Sequence, residues 1–493
     1  MNDGNETARA DFCAARRTSI YVYLLRRIFS VIALCATLIF SSVFGVGDGR
    51  VKFIAVSNSG VAPIKIHTSR GSFLMDGEQT PNAALVFSQD HWQPFVGNVT
   101  WFPETQKQKL IGTGASGSSL QGTSVALSAD GNTLAYGGTG DSFGKGAVWV
   151  WTRTTGASYT QQGNKLSSAS ASAREGASIA LSGDGNTLAA GAPLDSFYGT
   201  SVGTVYIYTR TGVTWTLQQR LPDPTSRIGG ANVGTSVALS RDGDTLVVGA
   251  YKDDNTKGAV WVFTRANGAW AQQGDKLVGS GAIDAPGAQQ GYSVALSADG
   301  NTLAEGGVAD NDFVGAMWIF VRINGAWVQQ GSKLVSNDYT KSLGGAYQGI
   351  TSSLSADGNT LAVGGRYDGT GTVYVGATWT FTRINGVWSQ QGSKLVGAGT
   401  VGSASQGWSV VLSADGNTLV EGGAMDNSNA GAVWVWIRRN GFWVQMGNKL
   451  VGTGSSGTSV YQGSSVALSA DGNTLAEGGI GDNSNVGAVW VFF

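Results

Sequence analysis

One segment recurs seven times along the chain with little change. In its last occurrence, 462–493, it reads QGSSVALSADGNTLAEGGIGDNSNVGAVWVFF: an apolar run, an Asp-Gly turn, a second apolar run, an Asx-rich loop and an aromatic third run. The turn aspartate falls at Asp130, Asp184, Asp242, Asp299, Asp357, Asp415 and Asp471, with spacings of 54, 58, 57, 58, 58 and 56 residues. A repeat this regular restricts the chain to folds in which equivalent units pack on one another, and it lets one domain take up most of the length. The 75 glycines and only 8 prolines among 493 residues fit many short strands joined by tight turns.

Each unit carries four strand-like runs. In the fourth they are 293–297, 302–305, 316–322 and 327–334. Asp299-Gly300 joins the first two and Asn324-Gly325 the last two, both pairs supplying the left-handed backbone angles of a tight hairpin. A longer loop opening at Gly306-Gly307 separates the middle two. Short turns thus alternate with long loops, which places both hairpins of a unit on one face and both long loops on the other. In 258–265 (GAVWVFTR), Val260 and Val262 point one way and Trp261 and Phe263 the other, so the third strand is apolar on both sides and must be covered on both.

These features predict an all-β fold: a seven-bladed β-propeller of four-stranded antiparallel blades, each sandwiched between two neighbours. The seventh unit ends at Phe493, after its third strand, whereas a spare fourth-strand run, 101–110 (WFPETQKQKL), precedes the first unit. That run, two residues longer than its counterpart 327–334, is expected to pair with the seventh blade and close the ring. The predicted organisation is therefore an N-terminal hydrophobic helix at 1–47 acting as signal peptide or membrane anchor, a linker or degenerate repeat at 48–97, and the propeller at 98–493. Within the linker, 51–56 and 64–68 read as strands, and 82–93 faintly echoes the third strand of the repeat.

The repeat resembles the FG-GAP repeat, the unit of the integrin alpha-chain propeller and of many exported proteins. The resemblance covers 98–493 and rests on Gly-x-Ser-Val-Ala in the first strand (122–126, 234–238, 463–467), Gly-Ala-Val-Trp-Val-Phe in the third, and one literal Gly191-Ala192-Pro193. Two features depart from the family pattern. The Phe of FG is replaced by Gln121, Gln290, Gln348, Gln406 and Gln462, and most units carry Gly-Gly in place of Gly-Ala-Pro. The resemblance implies an adhesion or binding role. Calcium loops of the family carry several Asp or Asn side chains, whereas 297–301 offers one carboxylate in a two-residue turn, which reads as a plain hairpin.

Candidate chemistry is sparse. His67 and His91 both lie outside the seven units, so no histidine-based triad can be assembled within the ring. Cys13 and Cys35 lie in the N-terminal segment, which leaves the repeats without thiols. Glu305, Glu421 and Glu477 share one position at the end of the second strand; they could form an acidic ring near the axis, but a repeated glutamate reads better as an equivalent, solvated residue than as a catalytic group. The loops with Asp310-Asn311, Asp426-Asn427 and Asp482-Asn483 fall on the long-loop face and could hold calcium or hydrogen-bond a sugar, or cap their own backbone. Tyr292, Trp408 and Tyr461 follow the other long loop, as an aromatic platform or as packing at the blade junctions. Two GxGxxG matches, at 112–117 and 452–457, lead into strands rather than helices and are loops.

The ends and the charge place the chain. Arg16, Arg17, Arg26 and Arg27 precede twenty uncharged residues, 28–47, the pattern of an export signal, and that stretch would also just span a bilayer. Asn98-Val99-Thr100 is a glycosylation sequon. A net charge of -1 with 13% charged residues leaves no basic footprint for nucleic acid. The expected protein is an extracytoplasmic, secreted or membrane-anchored, monomeric and non-catalytic binding or adhesion module without a cofactor, taking a protein or glycan ligand on its long-loop face and held to the membrane through residues 28–47 if these are uncleaved. A multivalent lectin with a weak sugar site per blade or blade junction is the alternative, and a hydrolase or lyase using carboxylates the second alternative.

Overall fold

The computed structural model describes residues 105–493 except 155, 198–199, 284–286 and 341–343, and before them only strand segments between 54 and 94. The expected helix at 1–47 and the sequon asparagine Asn98 lie outside the described residues. The chain divides into two compact units, Met1–Trp101 and Phe102–Phe493. In the first, Ile54–Val56, Ala84–Ser88 and His91–Pro94 form a three-stranded sheet, and Ile64–Thr68 pairs with Gly71–Met75. The segment that echoes the repeat, 82–93, thus contributes strands to a separate small sheet.

The second unit is a ring of seven four-stranded antiparallel sheets. In the fourth blade the strands are Gln290–Leu296, Thr302–Gly307, Ala316–Ile323 and Ala326–Gln329, in that spatial order. The first strands of successive blades touch one another from the first blade round to the seventh and back, so they form the inner wall. Two cyclic sets of backbone contacts tie the blades together. On the hairpin face the residue before each turn aspartate donates its N–H to its neighbour's carbonyl, from Ala129 through Gly183, Arg241, Ala298, Ala356 and Ala414 to Ala470 and back to Ala129, at 2.8–3.0 Å. Toward the long-loop face, the glycine that opens each third strand bridges the start of the next blade's first strand, as Gly315 does to Gln348 and Gly487 to Gln121.

The core consists of wedges between blades. The Val-x-Val side of one third strand meets the Trp-x-aromatic side of the next: Val260 and Val262 pack with Trp318 and Phe320, Met317 and Ile319 with Trp379 and Phe381, Val433 and Val435 with Trp490 and Phe492. Six third-strand tryptophans are fully buried, and Tyr206 takes the place in the second blade. Each such side chain contributes roughly 1.5–3 kcal/mol. The wedge between the fifth and sixth blades differs, because Thr378 and Thr380 occupy the Val-x-Val positions and both are buried.

The ring closes as the repeat requires. Gln106–Leu110 is the outer strand of the seventh blade, pairing Leu110 with Val489, Lys109 with Trp490 and Gln108 with Val491. Its register follows from two side-chain contacts shared with other blades. Gln106 accepts from the backbone of Thr453 as Gln329 accepts from Ser280, and Lys109 pairs with Asp482 as Lys165 pairs with Asp141.

Candidate functional site

On the long-loop face, most repeated polar residues are consumed by the blade itself. The aspartate that opens each loop between second and third strands is buried at Asp141, Asp195, Asp253, Asp310, Asp368, Asp426 and Asp482. Each is salt-bridged to a cation on or just after the same blade's outer strand: Asp141–Lys165 at 2.5 Å, Asp195–Arg220 at 3.1 Å, Asp253–Lys276 at 2.5 Å, Asp368–Lys394 at 2.5 Å, Asp482–Lys109 at 2.7 Å, and likewise Asp310–Lys333 and Asp426–Lys449. The second carboxylate oxygen accepts a backbone N–H from the loop leading into the blade, as Asp310 does from Ile283, Asp426 from Val401 and Asp482 from Ser456. Asp310, Asp426 and Asp482 therefore fasten one long loop to the other and do not face solvent.

Their neighbours Asn311, Asn427 and Asn483 are exposed and left-handed, at φ 50°, 51° and 49°. Each starts a run of left-handed residues, including Asp312 and Phe313 in the fourth blade and Ser428 and Asn429 in the sixth. Asn and Asp adopt this conformation more readily than other side chains, which accounts for the Asx-rich loops without a ligand.

In four of the five units that carry it, the glutamine replacing the aromatic residue of the FG pattern is a two-point clamp, while Gln348 only accepts, from the Ser336 N–H at 2.9 Å. The Oε1 atom of Gln290 accepts the Gly279 N–H at 2.5 Å while its Nε2 donates to the Gly279 carbonyl at 2.9 Å, the pairing a peptide group would make. Gln121 with Gly112, Gln406 with Gly397 and Gln462 with Gly452 do the same. The clamp holds the incoming loop where the tryptophan indole donates to it, Trp318 to the Ser280 carbonyl at 2.8 Å.

The Asp-Gly turn carboxylate is committed within its own turn: Asp299 accepts from Ser297 Oγ, the Asn301 N–H and Asn301 Nδ2. Burial pushes this carboxyl up, but the hydrogen bonds outweigh it and hold the group below its ordinary value. Among the described residues no cluster of three or more His, Cys, Asp or Glu is placed to hold a metal ion.

Glu305, Glu421 and Glu477 depart from expectation. They are fully buried within the blade wedges, neither solvated nor gathered round the axis, because the second strand stands one layer outside the inner wall. Burial pushes Glu421 up to about 7 and Glu477 up to about 8, and raises Glu305 well above its ordinary value. Glu421 accepts from Thr378 Oγ1 at 2.5 Å and Trp436 Nε1 at 2.9 Å, filling the polar wedge between blades five and six. Among the described residues, the carboxyl oxygens of Glu305 and Glu477 have no partner at hydrogen-bond geometry.

What does not repeat is gathered at one place. The residue after Gln-Gly at the head of the first strand is Thr123, Ala177, Thr235, Tyr292, Ile350, Trp408 and Ser464 in successive blades. The residue after the Gly-Gly position of the second strand is Thr139, Pro193, Tyr251, Val308, Arg366, Ala424 and Ile480. Both positions lie at the inner rim of the long-loop face, and in the first blade they touch, Thr123 Oγ1 lying 3.3 Å from Thr139 Oγ1. From the third to the sixth blade this rim is aromatic. Tyr251 meets Tyr292 at a tilt, with ring centroids 5.3 Å apart, and Phe313, Tyr347, Tyr367 and Tyr374 follow in a chain at 5.1, 4.7 and 5.4 Å. Arg366 lies over Tyr367 at 4.8 Å and over Trp408 at 4.3 Å. Burial raises the Tyr292 phenol, and the nearby Arg366 charge opposes that rise, which links the two parts of the cluster.

Of the aromatic residues singled out in the sequence, Tyr292 and Trp408 belong to this cluster. Tyr461 precedes its Gln462, a different position, equivalent to Tyr347. Arg366, Tyr251, Tyr367 and Tyr374 give no periodic signal, because no other repeat carries the same residue at the equivalent position. The available signal was departure from the consensus at equivalent positions.

The family model for the FG-GAP repeat matches residues 215–263. No curated protein matches the chain significantly. The matched span runs from the outer strand of the second blade through the third strand of the third, the same four-one-two-three phase in which Gln106–Leu110 precedes the first blade. All seven blades are built on that phase, so the chain is a seven-bladed propeller whose matched segment, 215–263, is similar to the FG-GAP repeat and whose ring fits a propeller of such repeats.

Proposed function

We propose that the chain is an exported or cell-surface, monomeric, non-catalytic binding module whose contact surface is the long-loop face, centred on the aromatic rim of blades three to six. One observation carries this reading. The side chains that the repeat does not demand are clustered in space, although they come from four different blades. Random drift would scatter such departures around the ring. A cluster of tyrosines, a tryptophan and an arginine has the composition that concentrates binding energy. The buried, upward-shifted Glu305, Glu421 and Glu477 favour binding over catalysis, because they serve the wedges and offer no access to a substrate. The basic n-region and the uncharged stretch 28–47 support export.

The test uses replacements that the ring already accepts. Trp408→Ser installs the residue of the seventh blade, and Tyr251→Thr that of the first. On arrays of glycans and of cell-surface proteins, with and without chelator, both variants should lose at least tenfold in whatever binding the wild type shows, at an unchanged melting temperature. Undiminished binding by both variants would remove the rim as the contact surface. The rim occurs once, which supports a single principal site; one sugar site per blade would require the same side chains in every blade.

A further inference from the structure

We propose that the aromatic rim takes an acidic sugar: a pyranose ring bearing a carboxylate, with Arg366 receiving the acid and the neighbouring rings receiving the C–H face of the sugar. This rests on the rim being the contact surface.

Arg366 is out of pattern among the arginines of the ring. The repeated ones are saturated: Arg322 donates to Asn301 at 2.9 Å, to Gln273 at 3.3 Å and to Thr245 at 3.4 Å, and Arg383 and Arg438 have the equivalent turn asparagine and glutamine partners. Arg366 makes no hydrogen bond or ion pair with any described residue, and its buried Nε has no partner. The guanidinium lies over two rings, Tyr367 at 4.8 Å and Trp408 at 4.3 Å. Neither ring supplies a hydrogen-bond acceptor of the strength of a carboxylate, so the terminal N–H groups of the guanidinium stay open to one. A half-buried cation without a counter-charge has lost water without compensation, and an incoming anion would restore it. Lys252, over Tyr251 at 5.5 Å, adds a second positive charge at the other end of the rim.

The rest of the rim fits a sugar better than a strand of acidic peptide. Tyr347 and Tyr367 meet edge to face at 4.7 Å, a corner of two aromatic rings at a steep angle. A pyranose offers such a corner a C–H face, whereas an Asp or Glu side chain would use the cation and leave the rings unused. One unpaired arginine matches one carboxylate per sugar residue, and the near-neutral chain, at net charge -1, lacks the field that a densely charged polymer requires.

The experiment compares the purified full-length chain on three probes: an oligosaccharide ending in a uronic acid, the same oligosaccharide with the carboxylate reduced to the alcohol, and an Asp/Glu-rich peptide. The acid should bind at least tenfold tighter than the alcohol. Arg366→Gln and Arg366→Thr, the latter installing the residue of the first blade, should erase that preference, so that acid and alcohol bind alike. Trp408→Ser should weaken both sugars. Equal binding of acid and alcohol by the wild type, a comparison needing no variant, would overturn the proposal, as would a preference retained in both Arg366 variants. Loss of sugar binding in Trp408→Ser would still uphold the rim as the contact surface in those cases. Tighter, Arg366-dependent binding of the peptide would overturn the sugar assignment, and silence on all three probes would overturn the proposal outright.

Discussion

At the scale of single residues, the ring separates side chains that serve the blade from those that do not, and burial with partners is the criterion. Asp310 and Asn311 are adjacent in one loop, yet Asp310 is buried against Lys333 while Asn311 is exposed. Glu477 is fully buried and has no hydrogen-bond partner among the described residues, and its burial sets a pH dependence. Its folded-state pKa of about 8 lies above the ordinary value of 4.5, so the folded state holds the proton more tightly than the unfolded chain. Its contribution to stability is fully present below about pH 4.5 and is lost as the pH rises through about 8. The total loss is on the order of a few kcal/mol, since each pKa unit corresponds to about 1.4 kcal/mol. Glu477→Gln, neutral throughout, should melt higher than the wild type at pH 8.5 and no higher at pH 4.5. Parallel melting-temperature profiles for the two proteins between those pH values would show that Glu477 does not titrate as described.

At the scale of the strand and its loop, close backbone approach governs what the repeat permits. Gly315 opens a third strand at φ 81°, and a Cβ there would lie 2.1 Å from the Gln348 carbonyl oxygen of the next blade. Gly331, in an outer turn, has φ 74° but nothing within 4 Å of its added Cβ. Both pay the left-handed penalty of about 1–2 kcal/mol on substitution, but only the first also collides with backbone. Gly315→Ala should therefore destabilise by roughly 3 kcal/mol or more and Gly331→Ala by about 1 kcal/mol in denaturant titrations. Equal losses would mean that the blades do not approach as closely as the bridge between Gly315 and Gln348 requires. Strand order, hairpin positions and the double-sided third strand could all be read from the sequence, because each follows from local turn chemistry and period-two alternation. The burial of Glu305 could not, since a glutamate between Ala304 and Gly306 reads as solvated until the neighbouring blade covers it.

At the scale of the whole molecule, stability depends on closure. Gln106–Leu110 supplies the outer strand of the seventh blade, the buried Leu110 and the Lys109–Asp482 ion pair. Deleting residues 98–110 would expose the edge of the seventh blade and bury Asp482 without its partner, a loss of several kcal/mol. The melting temperature should fall by roughly 5–10 °C, with self-association through the open edge visible in size-exclusion chromatography. An unchanged melting temperature would show that the ring does not rely on that strand.

The sequence by itself determined the number of blades, their four-one-two-three phase and the closing strand, because those depend on contacts that recur within each unit and at each junction between units. The aspartates of the long-loop face carried no such certainty. A lysine 23 residues downstream of Asp310 looks like any surface charge until the outer strand folds back alongside it. The candidate site lay further still from what a linear pattern can show. Tyr251, Tyr292, Arg366 and Trp408 are single departures in four different repeats, and only a closed ring, with the heads of its inner strands facing one mouth, brings them together.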